Sequence, residues 1–395
     1  MRHLILFFAV LPLVADAYET KLSGFIGGEL RYFVSDAQFE NQFNGLQASL
    51  LLQPEVQLQA DKGNNQFSFI PFIRLDSRDD RRTHGDLREA YWRHIDDQWE
   101  LLIGVNRVFW GVAESNHLVD IINQTDEVED IDREDKLGQP MINLSAQQGW
   151  GKLSLFILPW FRERTFPSKD GRLRSQPSVE RDVMYESTAE QGHVDFALRY
   201  SHYLGDWDLG LYYFTGTGRE PRFLLNESGA GLIALYDQID QLGSDIQFTH
   251  GAWLWKFEGI VRSQNEDEFS ATVGGFEYTL YQINDSAADL GVLLEYSHDT
   301  RDEDPAKAPP VIFDDDIFLA ARLAVNDTQD SMLLAGISID RNDHSSVLSI
   351  EAERRFGSRW SVELESRWFM NIKEETLLAS LKKDSYVGLK LLRYF

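Results

Sequence analysis

Apolar residues recur at every second position along nearly the whole chain, in segments of about ten residues separated by polar turns. Side chains of an extended strand alternate between its two faces. In LQASLLLQPEVQLQAD, Leu46, Ala48, Leu50, Leu52, Val56 and Leu58 share one face, while Gln47, Ser49, Gln53, Glu55, Gln57 and Gln59 share the other. WSVELESRWFMN sets Trp360, Val362, Leu364, Trp368 and Met370 against Ser361, Glu363, Glu365, Arg367 and Asn371. SYVGLKLLRYF sets Val387, Leu389, Leu391 and Phe395 against Tyr386, Gly388, Lys390 and Tyr394. About ten residues is the length of a tilted strand crossing hydrocarbon.

The connections alternate in length. Short ones, such as 61–65, 96–98, 149–151, 204–206, 251–252, 326–329 and 357–359, carry the Gly, Asn and Asp that tight hairpins need. Longer polar ones cover 34–44, 77–85, 112–139, 165–193, 219–240, 300–315 and 372–383. In hydrocarbon every backbone N–H and C=O must be paired, so a sheet there closes on itself. The expectation is all-β: a single antiparallel transmembrane β-barrel of roughly 18 strands, with short periplasmic turns and long extracellular loops. The segment 22–33 is expected to pair with the last strand. A propeller or sandwich would also give many short strands, but a propeller repeat of about 40–50 residues is missing.

Residues 1–17, MRHLILFFAVLPLVADA, read as a secretory signal peptide, with Arg2, an apolar run from Leu4 to Val14, and small residues at Ala15 and Ala17. The barrel is then assigned to 18–395, in the outer membrane of a Gram-negative cell. No Cys follows, so neither a lipid anchor nor a disulfide framework is available. Beyond residue 17 no stretch approaches the about 18 apolar residues of a membrane helix. With 64 acidic and 38 basic residues the net charge is −26, which argues against a nucleic-acid partner.

The chain resembles porin-like Gram-negative barrels. Its terminal Phe395 is similar to the signature that such barrels present to the barrel-assembly machinery, with Arg393 and Tyr394 before it. LREAYWRHIDDQWELLIGVNRVFWGVAES (87–115) resembles the strand–turn–strand of alginate-export and related uncharacterised porin-like families, which often read REAY…W…GRQ…WG; GVN stands here where they have GRQ. That resemblance implies export of an acidic polysaccharide or a lipid-like product as an alternative to passive diffusion.

The polar faces name candidate lumen residues: Glu29, Arg31, Glu55, Arg74, Arg93, Arg162, Arg199, Lys256, Glu258, Arg262, Glu295, Arg322, Glu353, Arg355, Glu365 and Arg367, joined by Asp76, Glu277, Glu351, Glu363 and Lys390. Opposed acidic and basic walls select ions by charge; the plainer reading is that a wet lumen tolerates charges that pair locally. Two apolar loop stretches, 112–124 and 223–240, have helix-compatible spacing and are candidates to fold inward and narrow a channel; packing as an external cap is the other reading. The acidic run TDEVEDIDREDK (125–136) offers Asp126, Glu129, Asp130 and Asp132 as oxygen ligands for calcium or magnesium, bridging to lipopolysaccharide phosphates, or else forms a solvated charge run. As an acidic outer vestibule it would give a weak cation preference. No other cofactor is expected.

No GxSxG, HExxH or P-loop motif occurs, and no enzyme is expected. The reading is an outer-membrane channel for passive diffusion of small solutes or ions, with membrane lipid and lipopolysaccharide as partners. A structural or adhesion barrel without an open pore is the alternative from another class.

Overall fold

The computed structural model describes residues 19–395 other than Glu266, Phe313 and Glu375; the signal-peptide reading lies outside the described residues. The first barrel strands are β1 (Glu19–Phe33), β2 (Leu46–Ala60), β3 (Asn65–Asp76), β4 (His84–Ile95), β5 (Trp99–Asn106), β6 (Gln139–Gln148) and β7 (Gly151–Leu158). β8 (Ser178–Tyr185) stands outside the barrel, which resumes with β9 (Asp195–Leu204) and β10 (Trp207–Thr217). β11 (Arg222–Leu225) and β12 (Gly231–Tyr236) join β8 in a three-stranded cap sheet. The barrel continues with β13 (Gln238–His250), β14 (Trp253–Gln264), β15 (Asp267–Leu280), β16 (Asp289–Asp299) and β17 (Asp315–Ala324). It ends with β18 (Met332–Asp340), β19 (Ser346–Phe356), β20 (Trp360–Met370) and β21 (Tyr386–Tyr394).

The 18-stranded sheet is antiparallel and closed, because β1 pairs with both β2 and β21. The seam register places Leu30 opposite Leu389 and Phe25 opposite Tyr394. The alternation reads out as expected. Leu22, Ile26, Leu30, Leu50, Leu364 and Leu389 are exposed on the outer wall, whereas Glu29, Arg31, Ser49 and Arg74 are buried inside. An outer wall of this composition matches hydrocarbon rather than water. Around the short-turn end Trp99, Trp150, Trp207, Trp253, Trp360 and Phe395 form an exposed aromatic girdle, the pattern of a membrane interface.

The length rule for connections has exceptions. At the loop end the connections between β14 and β15 and between β18 and β19 are short, with Asn265 and His344 in the left-handed region (φ 50° and 64°). Asn and His tolerate that region better than most residues.

The loop stretch 223–240 is not helical. It forms β11, the turn 226–230 and β12, because Asn226 and Gly229 (φ 71°) make a hairpin turn that a reading by apolar spacing alone overlooks. Phe161, Val179, Ala234 and Tyr236 form the core of this cap. At the mouth, the buried Arg172 of the 159–194 connection reaches Asp384 at 2.6 Å, Lys383 O at 2.6 Å and Phe43 O at 3.1 Å.

Candidate functional site

Residues 107–138, between β5 and β6, run inward and cross the lumen. Local sequence explains the direction. Trp110, Val119, Ile121 and Ile122 bury against Phe156, Leu158, Tyr212, Phe214 and Ile260 of the barrel wall, so the apolar stretch finds its core inside the barrel. The stretch 112–124 is irregular, without the helix its spacing suggested. β-branched residues and the polar Asn116 and Asp120 favour wall contacts over an internal helical ladder.

The loop is fastened at both sides. On one wall, Glu258 of β14 accepts the backbone N–H groups of Val112 (2.6 Å), Ala113 (2.9 Å) and Val119 (3.2 Å). Gly111 (φ 142°) permits this approach, since a Cβ there would lie 3.0 Å from Glu258 Oε1. Glu295 of β16 accepts the N–H groups of Glu114 and Ser115. Glu114 in turn holds the Arg322 guanidinium at 2.5 Å.

On the opposite wall the acidic run meets arginines. Asp130 pairs with Arg31 at 2.6 Å, Asp126 with Arg88 at 2.8 Å, Asp132 with Arg367 at 2.8 Å, and Glu129 with Arg74. Glu29 holds Arg74 (2.7 Å) and Arg82 (2.8 Å) from behind. Asp126, Glu129 and Asp130 are buried. Burial works against the Asp126 carboxylate, but the His84 ring and the Arg88 guanidinium outweigh it and hold its pKa at about 2. Asp130 is likewise held below the usual carboxylate range: burial opposes its charge, and Arg31 and Arg367 override it. Its neighbour Asp132 is pushed up by burial and by Asp130.

This arrangement corrects the solvated, outer-vestibule reading of 125–136. The run lies in the lumen and is neutralised by wall arginines, because buried guanidinia left unpaired would be far more costly than the ordered loop. The four candidate metal ligands do not converge either. Asp126 and Glu129 gather with His84, while Asp130 and Asp132 gather with Glu365, and guanidinia already contact both groups.

The other candidates are mostly where alternation puts them. Glu29, Arg31, Arg74, Lys256, Glu258, Arg262, Glu295 and Arg367 are buried on the lumen side. Glu55, Arg93, Arg199, Arg322, Glu353, Arg355 and Glu365 face it with more access to water. Arg199 makes a bidentate pair with Asp245, at 2.7 and 2.8 Å. Arg162 is an exception: β7 ends at Leu158, so Arg162 belongs to the following connection, where it holds Asp86 at 2.5 Å. Arg82 and Arg88 were missed. Arg82 lies in the connection 77–83, and Arg88 lies where the β3–β4 ladder slips by one residue, which switches the faces along β4.

The loop leaves two chambers beside it. The inner one, about 190 Å³, is bounded by Glu114, His117, Arg262, Phe318, Glu351 and Arg367. The outer one, about 710 Å³, lies under the cap and is largely apolar, with Phe166, Phe223, Leu225 and Leu232. Ile131, Arg133, Arg164, Glu220 and Ile312 line both, so the chambers meet at a neck.

No protein-family model matches the chain, and no curated protein matches it. Solved structures share its outline. A mutant of the Rh. blastica porin is 10% identical over 95% of this chain and 100% of its own, with a TM-score of 0.44. A loop-deletion mutant of OmpT, an outer membrane protein of Vibrio cholerae, is 9% identical over 96% and 100%, with a TM-score of 0.48.

Proposed function

We propose that the protein is an outer-membrane channel through which small solutes diffuse passively, past a constriction formed by residues 107–138. One observation carries this reading: the loop is fastened to two opposite walls yet leaves two chambers joined end to end beside it. In this reading Glu114, Arg262, Arg322, Glu351 and Arg367 border the path, and their mixed charge selects among ions. The exposed Phe395, at the turn end of the outer wall, serves as the assembly signal. Passage of an acidic polysaccharide would need free basic groups along the lumen, whereas Arg31, Arg74, Arg88 and Arg367 are engaged by loop carboxylates.

The test is purified, folded protein in planar bilayers. Discrete conductance steps in potassium chloride are expected. A folded barrel that gives none would be a structural or adhesion barrel instead.

A further inference from the structure

The neck is positively biased by one unpaired group. Four arginines of the neck and the inner chamber beside it are matched: Arg164 with Glu127 at 3.3 Å, Arg219 with Asp195 at 2.7 Å, Arg262 with Glu220 at 2.7 Å, and Arg301 with Asp299 at 2.7 Å. Arg133 is the fifth. Among the described residues it has no ion pair and no hydrogen bond, although it lines both chambers. Its backbone holds φ 67°, where L side chains are uncommon, and the two carboxylates whose charge it feels, Glu127 and Glu220, are themselves engaged by Arg164, Arg262 and Arg301.

A second donor is idle nearby. Arg219 lines the inner chamber, and its buried Nη2 has no hydrogen-bond partner. That Nη2 has almost no accessible surface, and the guanidinium lies over the Phe161 and Phe214 rings, 5.2 Å from each centroid, so the group open to a solute at the neck is Arg133. Glu220 cannot serve Arg133 fully, since Arg262 and Arg301 already hold it. Burial works against the Glu220 charge, yet the surrounding arginines keep its pKa well below the usual range.

Directly outside the neck the chemistry changes. The outer chamber is apolar over most of its lining, with Phe166, Phe223, Leu224, Leu225, Leu232 and a set of prolines, and it also carries charged groups, Glu127, Arg133, Arg164 and Glu220 among them. A solute held there buries an apolar body while its head reaches the neck. We infer that the two chambers form a binding site for apolar monocarboxylates, with the carboxylate on Arg133 and the hydrocarbon body under the cap sheet. The inference rests on the channel reading for its role in transport, and on Arg133 and the outer chamber for the binding itself. A carboxylate matches a guanidinium fork, and a single unpaired guanidinium suits one anionic head rather than a polyanion. The solute would enter with its head leading and exchange the Arg133 contact for water as it moves into the inner chamber.

The experiment uses the full chain in nanodiscs and compares four probes by calorimetry: phenylbutyrate, phenylbutylamine, phenylbutanol and butyrate. Phenylbutyrate is expected to bind about tenfold more tightly than each of the others, because a hydrogen bond to a charged group and a buried phenyl ring are each worth at least that factor. Arg133→Gln should weaken phenylbutyrate about tenfold, with partial recovery in Arg133→Lys. Phe223→Ala, at the other end of the site, should weaken phenylbutyrate and leave butyrate unchanged. Equal binding of phenylbutylamine, or of butyrate, overturns the inference, as does unaltered affinity in Arg133→Gln. Conductance in potassium chloride, measured without any probe, reads the channel proposal separately. A silent barrel that still prefers phenylbutyrate would retain the site and lose the transport role.

Discussion

Ser115 donates both its backbone N–H and its hydroxyl to the carboxylate of Glu295, at 2.8 and 2.7 Å. Together with Glu258 this contact fixes the inward loop to the β14–β16 wall by charge-assisted bonds, beside the apolar packing of Val119, Ile121 and Ile122. Replacing Glu258 by Ala strands three backbone donors, each worth about 1.5–3 kcal/mol when bonded to a charged group. The Glu258→Ala channel should show larger and noisier single-channel currents than the parent, with folded yield close to the parent's because the barrel ladders are untouched. Quiet currents of parental size would place the constriction elsewhere.

The acidic side of the loop makes a pH prediction. Asp126 has its pKa lowered from 3.8 to about 2. A carboxyl depressed in the folded state stabilises it above its ordinary pKa, and the contribution is lost as pH falls through the folded value. The Asp126 contact with Arg88 should therefore be intact at pH 5, weaken below 3.8, and be lost near 2, whereas the Asp132 contact with Arg367 is lost at higher pH because its carboxyl is pushed up. Bilayer recordings at stepped pH should show a reversible rise in loop noise across that acid window. No further rise between pH 3.8 and 2 would count against the Asp126 contact.

Face and register can be tested on one strand. Leu364 is exposed on the outer wall of β20, and Glu363 beside it faces the lumen, 3.0 Å from Lys390. Leu364→Arg places a charge in hydrocarbon at a cost of about 2–4 kcal/mol near the midplane, and should lower the heat-modifiable fraction on gels. Glu363→Gln should leave that fraction alone, free Lys390, and move the reversal potential toward anions. If Glu363→Gln were the more damaging to folding, the two faces would be exchanged.

The seam gives the last prediction. Leu30 and Leu389 face each other across the β1–β21 pair, on the lipid side. Leu389→Arg should reduce folded protein in membrane fractions at least as much as Leu364→Arg, since it loads the closing pair itself. Parental levels would mean that closure tolerates a charge at this register.

The barrel was legible because its evidence is repeated. Every strand restates the same alternation, so Leu46 to Leu58 and Trp360 to Met370 support one conclusion independently. The apolar run through Val119, Ile121 and Ile122 also marked the loop that turns inward. The destination of Asp126 to Asp132 was not legible. A local acidic string looks solvated unless the opposite wall is known, and that wall is assembled from Arg31, Arg74, Arg88 and Arg367 on four separate strands. Arg88 escaped for a geometric reason: the slipped ladder breaks period two within β4. The segment around Leu224 and Leu235 misled because short apolar runs fit helix and strand alike, and the turn at Asn226 and Gly229 decides between them.

Arg172 adds a constraint of timing. Its acceptors lie on Phe43, Lys383 and Asp384, in the connections that follow β1 and precede β21. Those connections are brought together only by the pairing of the first and last barrel strands. Until that pairing forms, a guanidinium midway along the chain has no complete set of acceptors. Once it forms, the mouth of the barrel locks over its own seam. The long surface connections thus act as a clasp whose fastening records that the cylinder has been completed.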